Sequence, residues 1–405
     1  MMLNEETRNY ILKHADEDVR KLALKMPADE RIDVRMALQQ IEGRQIARKK
    51  LPAWSVHQDI LFPPRLSLEQ CSSEITALYK QALVKRLLNG INKDKGEMLV
   101  DLTGGLGIDF SYLAPLFARA VYMERQHELC LLARHNMNVL GLDHAEVIET
   151  DSSVDPVSWP KADICFVDPA RRDTAGRKTV AISDCEPDLS RLQDRLREKM
   201  TYCVFKLSPL LDIRLAMKEL ESVSEIHVVS VQNECKELLL VMDSRPVTQP
   251  VKCHCVNLKP EISEFVFTYD EEQAEDCAYT SEISTYLYEP NASILKAGAF
   301  RSIGRQYNLL KLHPNSHLYT SDRLVGNFPG RTFMVDGCSA FARAEVKKLL
   351  GGVTQANMTI RNFPSDVAAL RKRLRLKEGG DVYLFVTTLA NGQHVIIKTH
   401  KISET

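Results

Sequence analysis

The spacing of hydrophobic residues changes twice along the chain. Up to about residue 90, apolar residues recur at helical intervals, as they do over residues 19–26 and 34–41. Ser67-Leu68-Glu69-Gln70 has the form of a capping box and predicts the start of a further helix. The apolar side of that helix is predicted to carry Ile75, Leu78, Ala82 and Leu83. The pattern predicts an N-terminal helical domain over residues 1–90.

From residue 98 short apolar runs alternate with helical stretches, which is typical of βαβ units in a parallel sheet. The predicted parallel strands are residues 98–102, 120–124, 145–150, 164–167 and 202–207. The runs at 226–231 and 237–242 are separated by only five residues, too few for a crossover helix, and therefore form an antiparallel hairpin. We predict an α/β, Rossmann-like, seven-stranded sheet of five parallel strands plus this hairpin over residues 91–245.

Beyond residue 250 strands and helices continue without the βαβ rhythm, which predicts a C-terminal α+β region. Asn391-Gly392 lies between the last two apolar runs and indicates a hairpin turn. Strands are predicted at 264–269, 285–288, 332–335, 358–361, 382–388 and 394–399, and helices at 293–307, 342–350 and 365–376. We divide this region into segments 246–330 and 331–405.

The composition of the chain predicts a broad class of protein and a cellular compartment. The chain has 405 residues, 44% hydrophobic and 26% charged, with a formal net charge of −1. These values are typical of a soluble globular protein of several domains, and they provide no overall field that would attract nucleic acid. Ten scattered cysteines indicate reduced thiols rather than a disulfide framework. No signal-peptide pattern or apolar run of ~18 residues occurs, so we predict a cytoplasmic protein without a membrane partner.

A glycine-rich turn follows the first predicted strand. The strand ends at Asp101, and Thr103, Gly105 and Gly107 follow before a helix begins. Glycines without β-carbons let the backbone approach a nucleotide closely, and ligands of α/β folds bind at the carboxyl ends of their strands. A tight turn without any ligand is the alternative, and the glycines alone do not exclude it.

The next two strands also end in acidic residues. Glu124 follows Asp101 by 23 positions, close to the ~20-residue spacing at which a carboxylate reaches ribose hydroxyls. Asp151, followed by Ser152, ends the third strand, where it could accept from an adenine amino group. An acidic residue at the end of a single strand, such as Glu124 or Asp151 taken alone, is more often simply exposed to solvent than part of a binding site. Three consecutive acidic strand ends favour a nucleoside-binding site.

A nicotinamide dinucleotide is the competing ligand for such a site. Its fingerprint is Gly-x-Gly-x-x-Gly with the pyrophosphate on the helix N-terminus, but Phe110 occupies the last glycine position here. Asp109 also brings a carboxylate to the first helical turn, where it would repel a pyrophosphate. S-adenosylmethionine has a sulfonium cation and no phosphate. The acidic site therefore favours S-adenosylmethionine, with Asp109 among its binding residues.

Asp168-Pro169-Ala170-Arg171 follows the fourth strand and resembles motif IV of methyltransferases that act on nucleic-acid bases, in a variant seen in RNA base methyltransferases. Proline fixes the chain direction, so the Asp168 carboxylate can face an incoming base. A plain Asp-Pro turn is the alternative. The position behind the glycine-rich loop favours catalytic roles for Asp168, Pro169 and Arg171.

Basic residues near this motif could bind phosphate that flanks the target, or could simply be solvated. The first group follows the motif: Arg171, Arg172, Arg177 and Lys178. The same two interpretations apply to the more distant groups, residues 371–377 and Arg44, Arg48, Lys49 and Lys50.

Lys206 ends the fifth strand, at the position that carries a nucleophilic cysteine in RNA uridine C5-methyltransferases. Cys203 lies inside the strand, so the sequence favours direct transfer to nitrogen or oxygen. Lys206 is a candidate catalytic residue or a structural ion-pair partner. Cys253-His254-Cys255 resembles a metal cluster, but alternating strand residues face opposite sides and no second Cys or His pair lies nearby, so no metal is predicted.

The chain as a whole resembles the bacterial class I methyltransferases that carry a ferredoxin-like segment and a C-terminal THUMP-like domain. The resemblance rests on residues 101–107 and 167–172, together with residues 67–79, 287–292 and 362–364. It implies S-adenosylmethionine binding at the positions matching Asp101, Gly105, Gly107, Glu124 and Asp151. Thr103 stands where many of these enzymes have the first glycine of the motif.

The resemblance also implies an RNA partner, tRNA or rRNA, because THUMP domains deliver RNA to modification enzymes. Two alternatives stay open at this point: a nucleic-acid-binding protein with the methyltransferase fold but no activity, and an NAD-dependent oxidoreductase.

Overall fold

The structure is a computed structural model that describes residues 3–402 apart from 26–29, 155–158, 172–180, 247, 260 and 275. The chain divides into two compact units. The first runs to Ser224 and takes in Leu238–Gln249, and the second consists of Glu225–Glu237 and the chain from Pro250 onwards. Among the described residues no helix combines the length and the apolar character needed to cross a bilayer.

The first unit begins with helices, as the sequence predicts. They are α1 Glu5–Lys13, α2 Val19–Leu24, α3 Val34–Lys50, α4 Pro52–Ser55, α5 Arg65–Gln70 and α6 Glu74–Asn89. The side chains of Asn4, Asp18 and Asp33 accept hydrogen bonds from backbone N–H groups in the first turns of α1, α2 and α3. Trp54 and Phe62 pack in the same apolar cluster as Ile108, which follows the glycine-rich loop. The N-terminal helices therefore share a core with the domain that follows them.

The prediction for the helix after residue 66 is wrong in its start and in part of its buried face. Ser67 lies inside α5, which begins directly after Pro64, and the long helix α6 begins at Glu74. Of the predicted apolar side, Leu83 is buried, whereas Leu78 and Ala82 are exposed. The buried side of α6 also contains Lys80, which a count of apolar residues does not include.

The parallel sheet of the first unit follows the βαβ prediction closely. Its strands are β1 Gly96–Asp101, β2 Phe117–Glu124, β3 Ala145–Glu149, β4 Ala162–Val167 and β7 Met200–Leu207. Its helices are α7 Ile108–Leu113, α8 His127–Val139, α9 Leu189–Lys199 and α10 Ile213–Glu219. The spatial order is β7-β4-β1-β2-β3, all parallel. Asp101 is in register with Tyr122 and with Phe166, so the tip of β1 lies between the tips of β2 and β4.

The predicted hairpin is present, and the α/β fold class is confirmed. It consists of β8 Val223–Val231 and β9 Glu234–Asp243, and β9 runs antiparallel to β7. The strand count differs from the prediction, because β10 Lys252–Asn257 pairs parallel to β8 and β11 Ser263–Thr268 pairs antiparallel to β10. The sheet thus has nine strands rather than seven, in the order β11-β10-β8-β9-β7-β4-β1-β2-β3. Local periodicity predicts a strand at β11 but not which sheet it joins.

Two short strands, β5 Ala170–Arg171 and β6 Cys185–Glu186, form a separate antiparallel pair beside the tip of β4. The rest of the second unit contains a seven-stranded sheet. Its strands are β12 Tyr286–Pro290, β13 Leu310–Lys311, β14 Tyr319–Ser321, β15 Gly330–Ala340, β16 Asn357–Arg361, β17 Val382–Thr388 and β18 His394–Lys401. Their spatial order is β13-β14-β12-β15-β18-β17-β16. All of its pairs are antiparallel except β16 with β17.

The helices of this second unit are α11 Tyr269–Ala274, α12 Ala292–Ala297, α13 Ser302–Gln306, α14 Arg343–Leu350 and α15 Val367–Leu374. The hairpin predicted at Asn391-Gly392 joins β17 to β18 and is confirmed. The single helix predicted over 293–307 is wrong, because the chain forms α12 and α13 instead. Gly298 ends α12 with a left-handed backbone, φ +81°, which terminates the helix.

Candidate functional site

The glycine-rich loop leaves the carboxyl end of β1 and enters α7. Gly105 and Gly107 have positive φ angles of 60° and 72°, a conformation that glycine adopts without steric cost. The N–H of Gly104 donates to the carbonyl of Met123 at 2.8 Å, which ties the loop to β2. A Cβ built on Gly105 would meet nothing closer than the Thr103 carbonyl at 3.5 Å. The loop is therefore fixed by its backbone and open on the side that a ligand could approach.

The Tyr122 side chain packs against the backbone of this loop. A Cβ on Gly104 would lie 2.2 Å from the Tyr122 ring, so only glycine fits at that position. The Tyr122 hydroxyl donates to the Gly105 carbonyl, and burial raises the pKa of this phenol, which keeps it a donor. Sequence reasoning missed Tyr122, because in the sequence it is one more residue of an apolar strand.

Glu124, at the tip of β2, bridges two backbone segments. Its Oε2 accepts from the N–H of Gly105 at 3.0 Å, and its Oε1 accepts from the N–H of Gln126 at 2.8 Å. Each carboxylate oxygen has two lone pairs, so each retains one for a further donor. The side chain is almost fully buried and therefore fixed in direction. Such a carboxylate can accept hydrogen bonds from two neighbouring hydroxyl groups.

The loop after β3 is held in place by its own side chains. Asp151 accepts from the N–H and the hydroxyl of Ser153, and the hydroxyl bond is the main reason that the pKa of Asp151 lies below its usual value. The Ser152 hydroxyl donates to the Leu102 carbonyl at 2.6 Å, which joins this loop to β1. Arg125, which sequence reasoning missed, lies 3.8 Å from Asp151 and 2.9 Å from Glu186. Asp151 remains over one-third exposed.

Asp101 is only 2% exposed, and this burial raises its pKa to about 8, although the N–H of Thr103 donates to its carboxyl at 2.9 Å. The nearby carboxyls of Asp109, Asp168 and Glu124 raise it further. At neutral pH most Asp101 side chains are therefore protonated in the free protein. An incoming cation would favour the ionised form.

This shift predicts a pH-dependent stability that asparagine at position 101 removes. Between the pKa of the unfolded chain, ~3.9, and about 8, unfolding ionises Asp101. Its stabilising contribution is present below ~pH 4 and is lost as the pH rises through about 8. Relative to Asp101→Asn, the free energy of unfolding of the wild type should fall by up to about 1.4 kcal/mol per pH unit. Urea denaturation from ~pH 5 to 9 measures this; parallel curves for the two proteins would contradict it, and exposed Asp59→Asn is the control.

The tips of β4 and β7 meet beside the loop. The N–H of Asp168 donates to the Thr103 hydroxyl at 2.6 Å, and the Lys206 ammonium donates to Asp168 Oδ2 at 2.6 Å. Asp168 is exposed, whereas Pro169 behind it is buried. The backbone of Arg171 pairs with Cys185 in the β5–β6 ladder. Arg172, Arg177 and Lys178 lie outside the described residues.

Asp109 lies in a buried ion-pair network that connects α6, α7 and β7. Its Oδ1 lies 3.1 Å from the ammonium of the fully buried Lys80, and its Oδ2 accepts from Ser72 at 2.7 Å and lies 3.4 Å from Lys206. Burial alone would raise the pKa of Asp109, but Lys80 and Lys206, with Ser72, outweigh it and hold the pKa below its usual value. A continuous series of charges, Lys80, Asp109, Lys206 and Asp168, therefore reaches the exposed tip of β4.

This network changes two expectations. Two ammonium groups balance the Asp109 carboxylate, so the repulsion of a pyrophosphate that the sequence suggested for Asp109 is largely cancelled.

Ser72 and Lys80 were missed as site residues, although the buried face of α6 includes Lys80 at helical spacing with Ala77 and Val84. Asp101, Thr103, Gly105, Glu124, Asp168 and Lys206 are brought together at one edge of the sheet, as predicted from their strand ends.

Comparisons with known proteins identify the family of the chain. A family model for a ferredoxin-like domain matches residues 286–329, and one for a THUMP domain-like region matches residues 330–401. A crystal structure from Porphyromonas gingivalis W83, described as a presumed methyltransferase, is 35% identical and superposes with a TM-score of 0.86 over 100% of both chains. An uncharacterized S-adenosylmethionine-dependent methyltransferase of Mycobacterium tuberculosis is 25% identical over 299 residues, 73% of this chain and 79% of the relative.

The 35% identity to the Porphyromonas gingivalis structure extends over the full length of both chains. It therefore covers the Rossmann-like sheet, the glycine-rich loop with its acidic strand ends and the two C-terminal modules. The chain belongs to the class I S-adenosylmethionine-dependent methyltransferases with C-terminal ferredoxin-like and THUMP-like domains, and its cofactor is S-adenosylmethionine.

Proposed function

We propose that this methyltransferase modifies a base in RNA, tRNA or rRNA, by direct transfer to a nitrogen or oxygen atom. The observation that carries the proposal is the convergence of Asp168, Lys206 and Thr103 at the tips of β4, β7 and β1. An exposed carboxylate held by a lysine and a backbone bond beside a nucleoside site can orient a base. No cysteine in β7 reaches the position of Lys206, which supports transfer without a covalent enzyme intermediate.

The cofactor site in this proposal lies along the tips of β1, β2 and β3. We assign Glu124 to the ribose hydroxyls, because both of its oxygens retain a lone pair. Asp151, whose loop is held by Ser152, is assigned to the adenine amino group. Asp101 is assigned to the positively charged end of S-adenosylmethionine. The remaining predicted binding residues are Thr103, Gly105, Gly107 and Asp109. The fit rests on the open space over Gly105 and on the carboxyl groups that surround it.

Asp109 has a different role in this site from a direct contact. Its carboxylate is occupied by Ser72, Lys80 and Lys206, so we assign it to holding Lys206 in place. S-adenosylmethionine supplies an electrophilic methyl group when bound. Asp168 would accept a hydrogen bond from the N–H or O–H group of the base that becomes methylated, and would take up the proton that this group loses. Lys206 holds the Asp168 carboxylate, and Pro169 fixes the direction of the chain. Arg171 keeps its predicted catalytic role from the sequence motif alone.

The RNA part of the proposal rests on two features of the chain. The THUMP-like match over residues 330–401 supports RNA as the partner. The end of α15 and the residues after it expose Lys372, Arg375 and Lys377, whereas Arg371 is paired with Glu378. Arg44 and Lys50, by contrast, donate to backbone carbonyls of their own domain. The C-terminal cations are therefore the better candidates for phosphate contacts.

Replacing Lys372, Arg375 and Lys377 together by glutamine should weaken RNA binding about equally for different sequences. The magnitude of the slope of log affinity against log salt concentration should fall by roughly 0.7 to 0.9 for each lost phosphate contact. For three lost contacts the total change is about two to three. Filter binding from low to moderate salt measures the slope. A matched triple variant, Lys13, Lys21 and Lys25 to glutamine, should keep the wild-type slope. An unchanged slope in the first variant would remove these residues from the RNA surface.

The substrate class is tested by nucleoside analysis. Digested tRNA and rRNA from cells with and without the gene are compared by mass spectrometry, and one methylated nucleoside should be missing in the deletion. The RNA from the deletion strain, incubated with purified enzyme and labelled S-adenosylmethionine, should regain it. Full sets of modified nucleosides in both strains, with label entering protein or a small molecule instead, would reject RNA as substrate while leaving the cofactor assignment intact.

A further inference from the structure

A cluster of imidazole and carboxyl groups lies on one face of the second unit's strands β8, β10 and β11. His227 of β8 and His254 of β10 are directly opposite each other in the parallel ladder, and their rings stack with centroids 4.5 Å apart. Glu225 lies two residues before His227 and therefore on the same face of β8. The Glu225 Oε2 lies 3.1 Å from His227 Nε2.

His254 has the arrangement typical of a metal ligand. Its Nδ1 hydrogen-bonds to Glu264 Oε1 at 2.7 Å, and an ionised carboxylate can only accept, so Nδ1 is the donor. The lone pair is then on Nε2, a buried atom without a hydrogen-bond partner among the residues that the structure describes. A carboxylate that fixes the tautomer of a histidine in this way is the usual outer partner of a zinc-bound imidazole.

We propose that Glu225, His227 and His254 form a binding site for one divalent transition-metal ion of the zinc class, with Glu264 orienting His254. One donor atom from each of the three residues lies within 4.8 Å of the others. Zinc bonds of ~2.1 Å require donors about 3.4 Å apart, and an imidazole nitrogen binds a metal in the plane of its ring. Binding therefore requires the two rings, now stacked at 12° from parallel, to rotate so that their nitrogens face one ion. Two nitrogens and one carboxylate oxygen suit zinc, with water in the fourth position.

The neighbouring cysteines are not part of this site. Cys253 and Cys255 flank His254 on β10 and face the opposite side of the strand, where both are buried. The sequence argument against a metal considered only neighbours along the chain. His227 precedes His254 by 27 positions and comes beside it only through the pairing of β8 with β10. Bound metal would therefore hold together strands that are distant in sequence.

The test uses full-length protein without a polyhistidine tag, equilibrated with Zn²⁺, dialysed and analysed for metal by mass spectrometry. The wild type should retain one zinc per chain, and His254→Gln and Glu225→Gln should lose it. Glu264→Gln should weaken zinc affinity about 10- to 100-fold, measured by competition with a chromophoric chelator. The control His400→Gln replaces an exposed histidine that is likewise paired with a carboxylate, Asp336, and should retain the metal.

Two further readouts distinguish this site from adventitious binding to thiols or from loss of folding. The Co²⁺-substituted protein should show no thiolate-to-cobalt charge-transfer absorption, and Zn²⁺ should raise the melting temperature of the wild type but not of His254→Gln. Circular dichroism and S-adenosylmethionine binding should be the same in all variants. Absence of retained zinc in the wild type, equal retention in His254→Gln, or a thiolate spectrum would each overturn the proposal.

Discussion

Replacement of Asp168 by asparagine is expected to reduce methyl transfer by roughly 10²- to 10⁴-fold, the range of a lost acid–base or orienting group. The shape of the side chain is kept, and the hydrogen bond from the backbone of residue 168 to Thr103 does not depend on the carboxylate. The variant loses the negative charge that holds Lys206 and faces the acceptor. The affinity for S-adenosylmethionine should change little, because the proposed nucleoside contacts lie at Glu124 and Asp151.

Single-turnover transfer to RNA and calorimetric binding of S-adenosylmethionine measure the two quantities separately. Asp59→Asn, an exposed aspartate paired with Arg8, is the matched control and should transfer at the wild-type rate. An Asp168→Asn variant that loses cofactor affinity and transfer to the same extent would mean that Asp168 contributes to the cofactor site and not to the acceptor site.

The second large effect concerns the buried ion pairs around Asp109. Asp109→Asn removes the negative charge that lies 3.1 Å from the ammonium of the fully buried Lys80, and the Ser72 hydroxyl stays 3.3 Å from that ammonium. Removing one partner of a buried pair typically costs about 3–5 kcal/mol. We therefore expect the free energy of unfolding to fall by about that amount, measured by urea denaturation at neutral pH.

The double variant Lys80→Met with Asp109→Asn identifies the cause. It removes the buried Lys80 charge together with the Asp109 carboxylate, so it should be more stable than Asp109→Asn alone, with a coupling energy of about 0.5–3 kcal/mol between the two positions. Additive losses in stability would show that the two side chains act independently, which the 3.1 Å separation of their charges does not allow.

The strand tips of the site could be predicted because parallel strands of a βαβ sheet all end at one edge. Asp101, Glu124 and Asp168 each follow a short apolar run, so their common location follows from the pattern alone. The conformation of Gly107 was also predictable, because a strand that turns at once into a helix needs a left-handed residue.

The contributions of the N-terminal helices could not be predicted in the same way. Lys80 and Ser72 lie 29 and 37 positions before Asp109, and no local pattern specifies contacts at such separations. Lys80 also disturbed the helical periodicity, since a buried ion pair places a charged residue on an apolar face. The proximity of His227 to His254 was missed for the same reason, because it depends on strand order.

The site itself is tested most directly by a crystal structure of the protein with S-adenosylhomocysteine, the demethylated product. We predict ribose hydroxyls on Glu124, the adenine beside Asp151, and the sulfur directed towards the Asp168 carboxylate. A product molecule bound away from the tips of β1 and β2, or with its sulfur turned away from Asp168, would contradict the proposed active site.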